Sequence, residues 1–231
     1  MTAHVKMAAS PERSHVLPRN IMLRSALKLC LVTHQNQPSF NDYKQYIQQA
    51  IKGGVTSIQL RDKTLPITAL RNTAIALLDL LRPLSIPLII NDNATLAKEI
   101  DAEGVHLGQS DQSPVDVRDM LGPKKIIGWS IETLEQLEQA NELDCIDYIA
   151  ASAIFNSNSK KDCKTIWGLT GLKQITQRSR HPVVAIGGIN AGNIRDVILH
   201  GACGTAVISA IHDHKNPELA ASELIRNMQE G

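Results

Sequence analysis

Short apolar runs recur along this chain, and run after run ends on a residue able to hold a phosphate or a metal ion. In Thr56-Ser57-Ile58-Gln59-Leu60-Arg61-Asp62-Lys63 an extended stretch delivers Gln59, Arg61 and Lys63 at alternate positions. All three project to one side for as long as that conformation continues. The pattern returns in Pro87-Leu88-Ile89-Ile90-Asn91-Asp92 and in Gly104-Val105-His106-Leu107-Gly108-Gln109-Ser110-Asp111. It returns again in Ile127-Gly128-Trp129-Ser130, Val183-Val184-Ala185-Ile186-Gly187-Gly188 and Thr205-Ala206-Val207-Ile208-Ser209. These runs predict strands beginning near Leu29, Ser57, Leu88, Gly104, Ile126, Tyr148, Val183 and Gly204. Helical signals fill the gaps. Leu70, Ala74, Leu77, Leu78 and Leu81 make an apolar stripe over 69–81, and Leu134, Leu137 and Ala140 make another behind a capping Thr133. The stretch 191–199 reads as a helix, and Pro217 opens a last one that runs to Met228. Strand and helix alternate, with polar chemistry at the carboxyl end of each strand. That predicts one α/β domain, a (β/α)8 TIM barrel over 28–231.

Two units depart from the rhythm. From Leu88 to Gly104 the strand starts are 16 residues apart, which leaves room for a short helix only. From Tyr148 to Val183 they are 35 apart, and this unit carries the polar segment Asn156-Ser157-Asn158-Ser159-Lys160-Lys161-Asp162. A polar loop at the carboxyl face of a barrel is placed to cover a ligand. Residues 1–27 set Lys6, Arg13, Arg19 and Arg24 against Glu12 and lack the continuous apolar region of a secretory signal. They read as a disordered or irregular N-terminal extension outside the fold, with Met22 an alternative start.

Composition narrows the function. With 43% hydrophobic but only 3% aromatic residues, the core must be built from Leu, Ile, Val and Ala, which suits parallel strands buried on both faces. A net charge of +1 offers no electrostatic case for nucleic acid or an anionic membrane. No apolar stretch approaches the ~20 residues that span a bilayer. Small molecules are therefore the expected partners, with a homo-oligomer left open. Cys30, Cys145, Cys163 and Cys203 form no CxxC pair or Cys/His cluster and read as free thiols of a cytoplasmic protein.

Arg61 and Lys63 invite an anion, since Arg forks two phosphate oxygens and Lys adds a point charge. Alone the pair could be a solvated rim, but Asn91, Ser130 and Lys160 close other strands on the same face. Asp92 and Asp111 end neighbouring strands beside Asn91 and Gln109, a hard-oxygen set suited to Mg²⁺. Each could instead cap the helix or turn that follows. Work as an acid–base pair is disfavoured because the surrounding cations would keep both ionised. His106, inside an apolar strand, reads as a hydrogen-bonded core residue, and no His takes a catalytic role. Gly188 and Ser209, after the seventh and eighth strands, stand where such barrels bind phosphate monoesters, although a Gly pair also serves a tight turn. Ser157 and Ser159 would reach the same phosphate from the loop. No G-x-S-x-G elbow or Cys–His pairing is present. Clamps for anions without a nucleophile suit a reaction in which a diphosphate leaves and the enzyme stabilises the departing charge. At an effective dielectric near 20, one charge pair at about 4 Å supplies roughly 4 kcal/mol.

Across about residues 29–225 the chain resembles thiamine-phosphate synthase. The resemblance is carried by Gln59-Leu60-Arg61-Asp62-Lys63, Ile90-Asn91-Asp92, Gly104 to Asp111, Ala185-Ile186-Gly187-Gly188-Ile189 and Ala206-Val207-Ile208-Ser209-Ala210-Ile211. It implies a Mg²⁺-dependent transferase that joins hydroxymethylpyrimidine diphosphate to a thiazole phosphate, releasing thiamine phosphate and pyrophosphate. In that family the bond breaks first, and the thiazole nitrogen captures the pyrimidine cation. By the resemblance, Gln59, Arg61, Lys63, Asn91, Ser130 and Lys160 hold the pyrimidine diphosphate, and Arg61, Lys63, Ser130 and Lys160 carry the catalytic stabilisation. Asp92 and Asp111 hold Mg²⁺, and Ser157, Ser159, Gly188, Ile208 and Ser209 bind the thiazole phosphate. The sixth unit departs from the family: a usual Gly/Pro strand end is here Ala150-Ala151-Ser152-Ala153-Ile154-Phe155, and T-x-T-K is Ser157-Asn158-Ser159-Lys160. Two alternatives stand beside this reading. One is a thiazole tautomerase-like relative, which would carry His where Glu132 stands. The other is a non-catalytic binder that keeps the barrel.

Overall fold

Eight parallel strands start at the eight positions where the apolar runs begin, and they close into a barrel in chain order. They are β1 (Leu29–Val32), β2 (Ser57–Leu60), β3 (Leu88–Asn91), β4 (Gly104–Leu107), β5 (Ile126–Ile131), β6 (Tyr148–Ser152), β7 (Val183–Ile186) and β8 (Gly204–Val207). The helices are α1 (Arg19–Leu27), α2 (Phe40–Lys52), α3 (Ile67–Leu81), α4 (Ala94–Glu99), α5 (Pro114–Leu121), α6 (Leu134–Asn141), α7 (Gly168–Arg178), α8 (Ile194–Leu199), α9 (Ser209–His212) and α10 (Pro217–Gln229). This computed structural model describes residues 19–34, 39–157 and 164–229.

The strands read as unbroken apolar runs because both of their faces are buried. Leu31, Ile58, Ile90, Val105, Ile127, Ile149 and Val207 face outward and pack under the helices. Cys30, Val32, Tyr148, Val184 and Ala206 face inward and fill the barrel itself. Each fully buried Leu or Ile contributes about 1.5–3 kcal/mol, so this double layer carries most of the fold's stability. Among the described residues no helix is long and apolar enough to cross a membrane.

The amino-terminal end of the barrel is closed by a stretch expected to lie outside the fold. Residues 19–27 form α1, and Leu27 is buried in the same inner cluster as Cys30 and Ala206. Thr56 Oγ1 donates to Ala26 O at 3.0 Å and accepts from Leu29 N at 2.9 Å, tying α1 to β1 and β2. Gly204 is required here: a Cβ on it would sit 1.9 Å from Leu27 O. The helix is hidden in the sequence because Arg19 and Arg24 dilute its short apolar stripe. At the same end Arg118 Nη2 pairs with Asp147 Oδ2 at 2.7 Å, and that oxygen also accepts from Ile127 N at 2.8 Å.

Helix starts follow their caps. Thr133 and Gln136 form a reciprocal capping box on α6, and Ser113 caps α5 ahead of Pro114. The helix expected over 191–199 is shorter, because Asn190 accepts from Gly192 N and Asn193 accepts from Asn190 N, both at 2.9 Å. Those bonds hold the stretch before α8 in a turn.

Candidate active site

The carboxyl ends of the strands surround a cavity of about 380 Å³. Gln59, Arg61, Lys63, Asn91, Asp92, Asp111, Ser130 and Ile208 all line it, contributed by five different strand ends. The extended course of β2 is carried past Leu60 by a reciprocal tie. Arg61 N donates to Thr33 Oγ1 at 2.9 Å, and that hydroxyl donates to Arg61 O at 3.2 Å. Asp62, between the two cations, is engaged by the chain that follows it. Its Oδ1 accepts from Thr64 N, Thr64 Oγ1 and Leu65 N and builds the turn into α3.

The short third unit explains how Asp92 is aimed. Asn93, not Asp92, caps α4 by accepting from Leu96 N at 2.8 Å. Asp92 itself takes a left-handed φ of 64°, a conformation Asp tolerates at some cost, and its N–H donates to His106 O at 2.8 Å. Its carboxylate is thus free of capping duty. Asp111 likewise caps no helix: its Oδ2 accepts from Gly108 N at 2.6 Å, closing the turn after β4. The two carboxyl groups face one another across the cavity, near enough for Asp111 to act on Asp92. Burial first, and then the neighbouring acid Asp111, push the Asp92 carboxyl up to about 6, against Lys63 and Arg61. The surrounding cations therefore do not hold Asp92 at an ordinary Asp value, although a carboxyl at about 6 is still mostly ionised at neutral pH. Lys63 Nζ stands 3.9 Å away and mostly in solvent, too weak to offset burial and a second acid nearby.

Two converging carboxylates beside an Asn amide suit an ion that takes one or two carboxylates and completes its shell with water and phosphate oxygens. Among the described residues no group of three or more His, Cys, Asp and Glu ligands gathers, as a structural zinc site would need. The donor set fits Mg²⁺. Gln59 Nε2 donates to Asn91 Oδ1 at 2.7 Å, which leaves the Asn91 amide hydrogens for an anion.

A second region adjoins the first. Ser157, Gly188, Ile208 and Ser209 line both a small pocket of about 50 Å³ and a broader groove of about 720 Å³ that also reaches Arg61. Gly187 and Gly188 have φ of 101° and 63°, so the tight-turn reading of this pair holds. They also permit close approach: a Cβ on Gly188 would sit 2.5 Å from Asn156 O. The altered sixth strand end is held by backbone hydrogen bonds. Ile154 N and Phe155 N donate to Ile186 O and Gly187 O, and Trp167 N donates to Ala153 O at 2.9 Å. Both roots of the loop are pinned to the rim without the family's Gly and Pro. Ser159 and Lys160 lie outside the described residues.

Some cavity residues carry roles that the sequence does not reveal. His106 is buried, as expected of a core histidine, yet it also lines the cavity beside Ser152, Ile186 and Glu132. Lys164 adds a further cation to the lining. Gln109 is anchored to β5, its Nε2 donating to Ser130 O at 2.7 Å. A single His in an apolar strand gives nothing that separates packing from function; its partners, on β5 and β6, are long-range.

The family described as thiamine monophosphate synthase matches residues 29–211. A thiamine-phosphate synthase of Albidiferax ferrireducens is 45% identical over 199 residues, covering 86% of this chain and 90% of its own length. One of Chlamydia abortus is 42% identical over 203 residues, covering 88% and 95%. In solved structure, a thiamine phosphate pyrophosphorylase from Pyrococcus furiosus superposes with a TM-score of 0.80 at 33% identity, covering 90% of this chain and 98% of that one.

Proposed function

This chain belongs to the thiamine-phosphate synthase family, and from that premise we propose that it joins hydroxymethylpyrimidine diphosphate to a thiazole phosphate. The observation that carries the reading is the convergence of Arg61, Lys63, Asn91, Asp92, Asp111 and Ser130 on one cavity. Membership makes the chain a transferase of thiamine biosynthesis.

In the proposed reaction the bond between the pyrimidine methylene carbon and the diphosphate oxygen breaks, and its electron pair leaves with the diphosphate. The thiazole nitrogen then gives its lone pair to that carbon, forming the C–N bond. Arg61 and Lys63 neutralise the departing oxygens, and Asn91 donates its amide hydrogens to them. Mg²⁺, held by Asp92 and Asp111, would supply further positive charge to the leaving group. Ser157, Gly188 and Ser209 border the region suited to the thiazole phosphate, with backbone N–H groups exposed by the glycines. Ser159 and Lys160 belong to the same proposal through the family's loop pattern. Among the described residues no Cys–His pairing or Ser–His pair with a third orienting acid stands in the cavity, which is consistent with direct transfer between the substrates.

The test is to mix the purified protein with both substrates and Mg²⁺ and to measure thiamine phosphate and pyrophosphate. Equal amounts of the two products are expected. Binding of both substrates with no product would instead support the non-catalytic alternative.

A further inference from the structure

Tyr148 and His106 stand on strands separated by β5, and Gly128 is what lets them meet. In register, His106 pairs with Gly128, which pairs with Tyr148. A Cβ on Gly128 would sit 2.1 Å from Tyr148 Cζ and 2.4 Å from its hydroxyl oxygen, so the phenol ring lies across the glycine. The hydroxyl then reaches His106 Nδ1 at 2.9 Å, and His106 Nε2 lies 2.8 Å from Ser130 Oγ. The chain of contacts runs from the buried barrel interior to the wall of the cavity.

The direction of its protons follows from donor and acceptor counts. Among the described residues the Tyr148 hydroxyl has one hydrogen-bond partner, His106, so its proton goes to Nδ1. A neutral imidazole that accepts at Nδ1 carries its hydrogen on Nε2. That hydrogen is directed at Ser130 Oγ, which therefore accepts from below. The Ser130 proton must then turn outward, into the cavity.

We propose that Tyr148 is a positioning residue that acts through His106 to hold Ser130 as a hydrogen-bond donor toward the substrate. The cavity at Ser130 then selects an acceptor atom, a heterocycle nitrogen or a diphosphate oxygen, and disfavours an amino group there. The inference deepens the pyrimidine diphosphate reading and rests on it for the identity of the ligand.

The test has a spectral and a kinetic arm. Long-range ¹H–¹⁵N spectra of ligand-free, histidine-labelled protein report the tautomer of each neutral ring, with His106→Gln assigning the resonance. Wild type is expected to show the Nε2–H form at His106, and Tyr148→Phe a mixture of the two tautomers. A dominant Nδ1–H form in wild type overturns the proposal, as does an unchanged tautomer in the variant. Kinetically, Tyr148→Phe should lower kcat/KM for the pyrimidine diphosphate about tenfold, the worth of one hydrogen bond. In a Ser130→Ala background the same change should cost less than about twofold, because the route through Ser130 is gone. Equal losses in both backgrounds overturn the proposal. Should Tyr148→Phe fail to fold, the wild-type spectrum still decides. The spectra need no turnover, so a protein that makes no product sinks the reaction reading and leaves the proton direction to be judged separately.

Discussion

Lys63 Nζ lies 3.9 Å from Asp92 Oδ2, a cation and an acid projected from the ends of neighbouring strands into one cavity. At this distance and exposure the pair is worth about 0–1 kcal/mol to the fold, so its value lies in placing charge. Lys63→Met should cut turnover by roughly 100-fold while stability changes by about 0.5 kcal/mol or less. Steady-state rates and a melting curve check this together. A variant that melts early but turns over normally would show Lys63 to be structural.

Asp92 should behave in the opposite sense. It is partly buried against another acid and held in a left-handed turn that Asn adopts at least as readily. Asp92→Asn removes the repulsion at neutral pH and should stabilise the ligand-free protein by about 1 kcal/mol, discounted for partial exposure. The same variant should lose at least ~100-fold in turnover. Gain of stability with loss of activity separates a functional acid from a helix cap, whose removal destabilises.

The pH dependence carries the same signature. The folded pKa of Asp92, about 6, lies above its ordinary value of 3.8, so the folded state holds the extra proton between those limits. Stability from this group is present below about pH 4 and is lost as pH rises through 6. Mg²⁺ needs the ionised form. Added Mg²⁺ should therefore raise Tm at pH 7.5 and have little effect at pH 5, and neither shift should occur in Asp92→Asn. A Tm that responds equally at both pH values would place the ion elsewhere.

Gly128 tests the barrel interior. Any Cβ there overlaps the Tyr148 ring, which is wedged between strands and cannot withdraw as an exposed side chain would. Gly128→Ala should destabilise by about 1–3 kcal/mol, the usual cost of overpacking. Denaturant unfolding measures it, and an unchanged midpoint would mean that the ring has room to move.

These residues also show what was legible in the sequence. The strand starts could be read because parallel strands buried on both faces leave apolar runs, and the runs end where the carboxyl face begins. Gln59, Arg61, Lys63, Asn91, Asp92, Asp111 and Ser130 could be grouped by that position alone. The duty of Asp92 could not, since Asp92 and Asn93 are both good caps and only the backbone turn assigns the cap to Asn93. Nor could the second role of His106, which depends on a tyrosine 42 residues away reaching over a glycine. Helix α1 is not legible in the sequence because its contacts with β1 and β8 are made by a few apolar residues set among charged ones.

The most direct measurement is product formation against free Mg²⁺, from full chelation to saturation, in wild type and Asp111→Asn. Wild type should rise saturably from a chelated baseline at least ~100-fold lower, and the variant should stay near that baseline. Full activity under chelator, or an undiminished Mg²⁺ response in Asp111→Asn, would contradict the assignment of the two acids and the cavity they share.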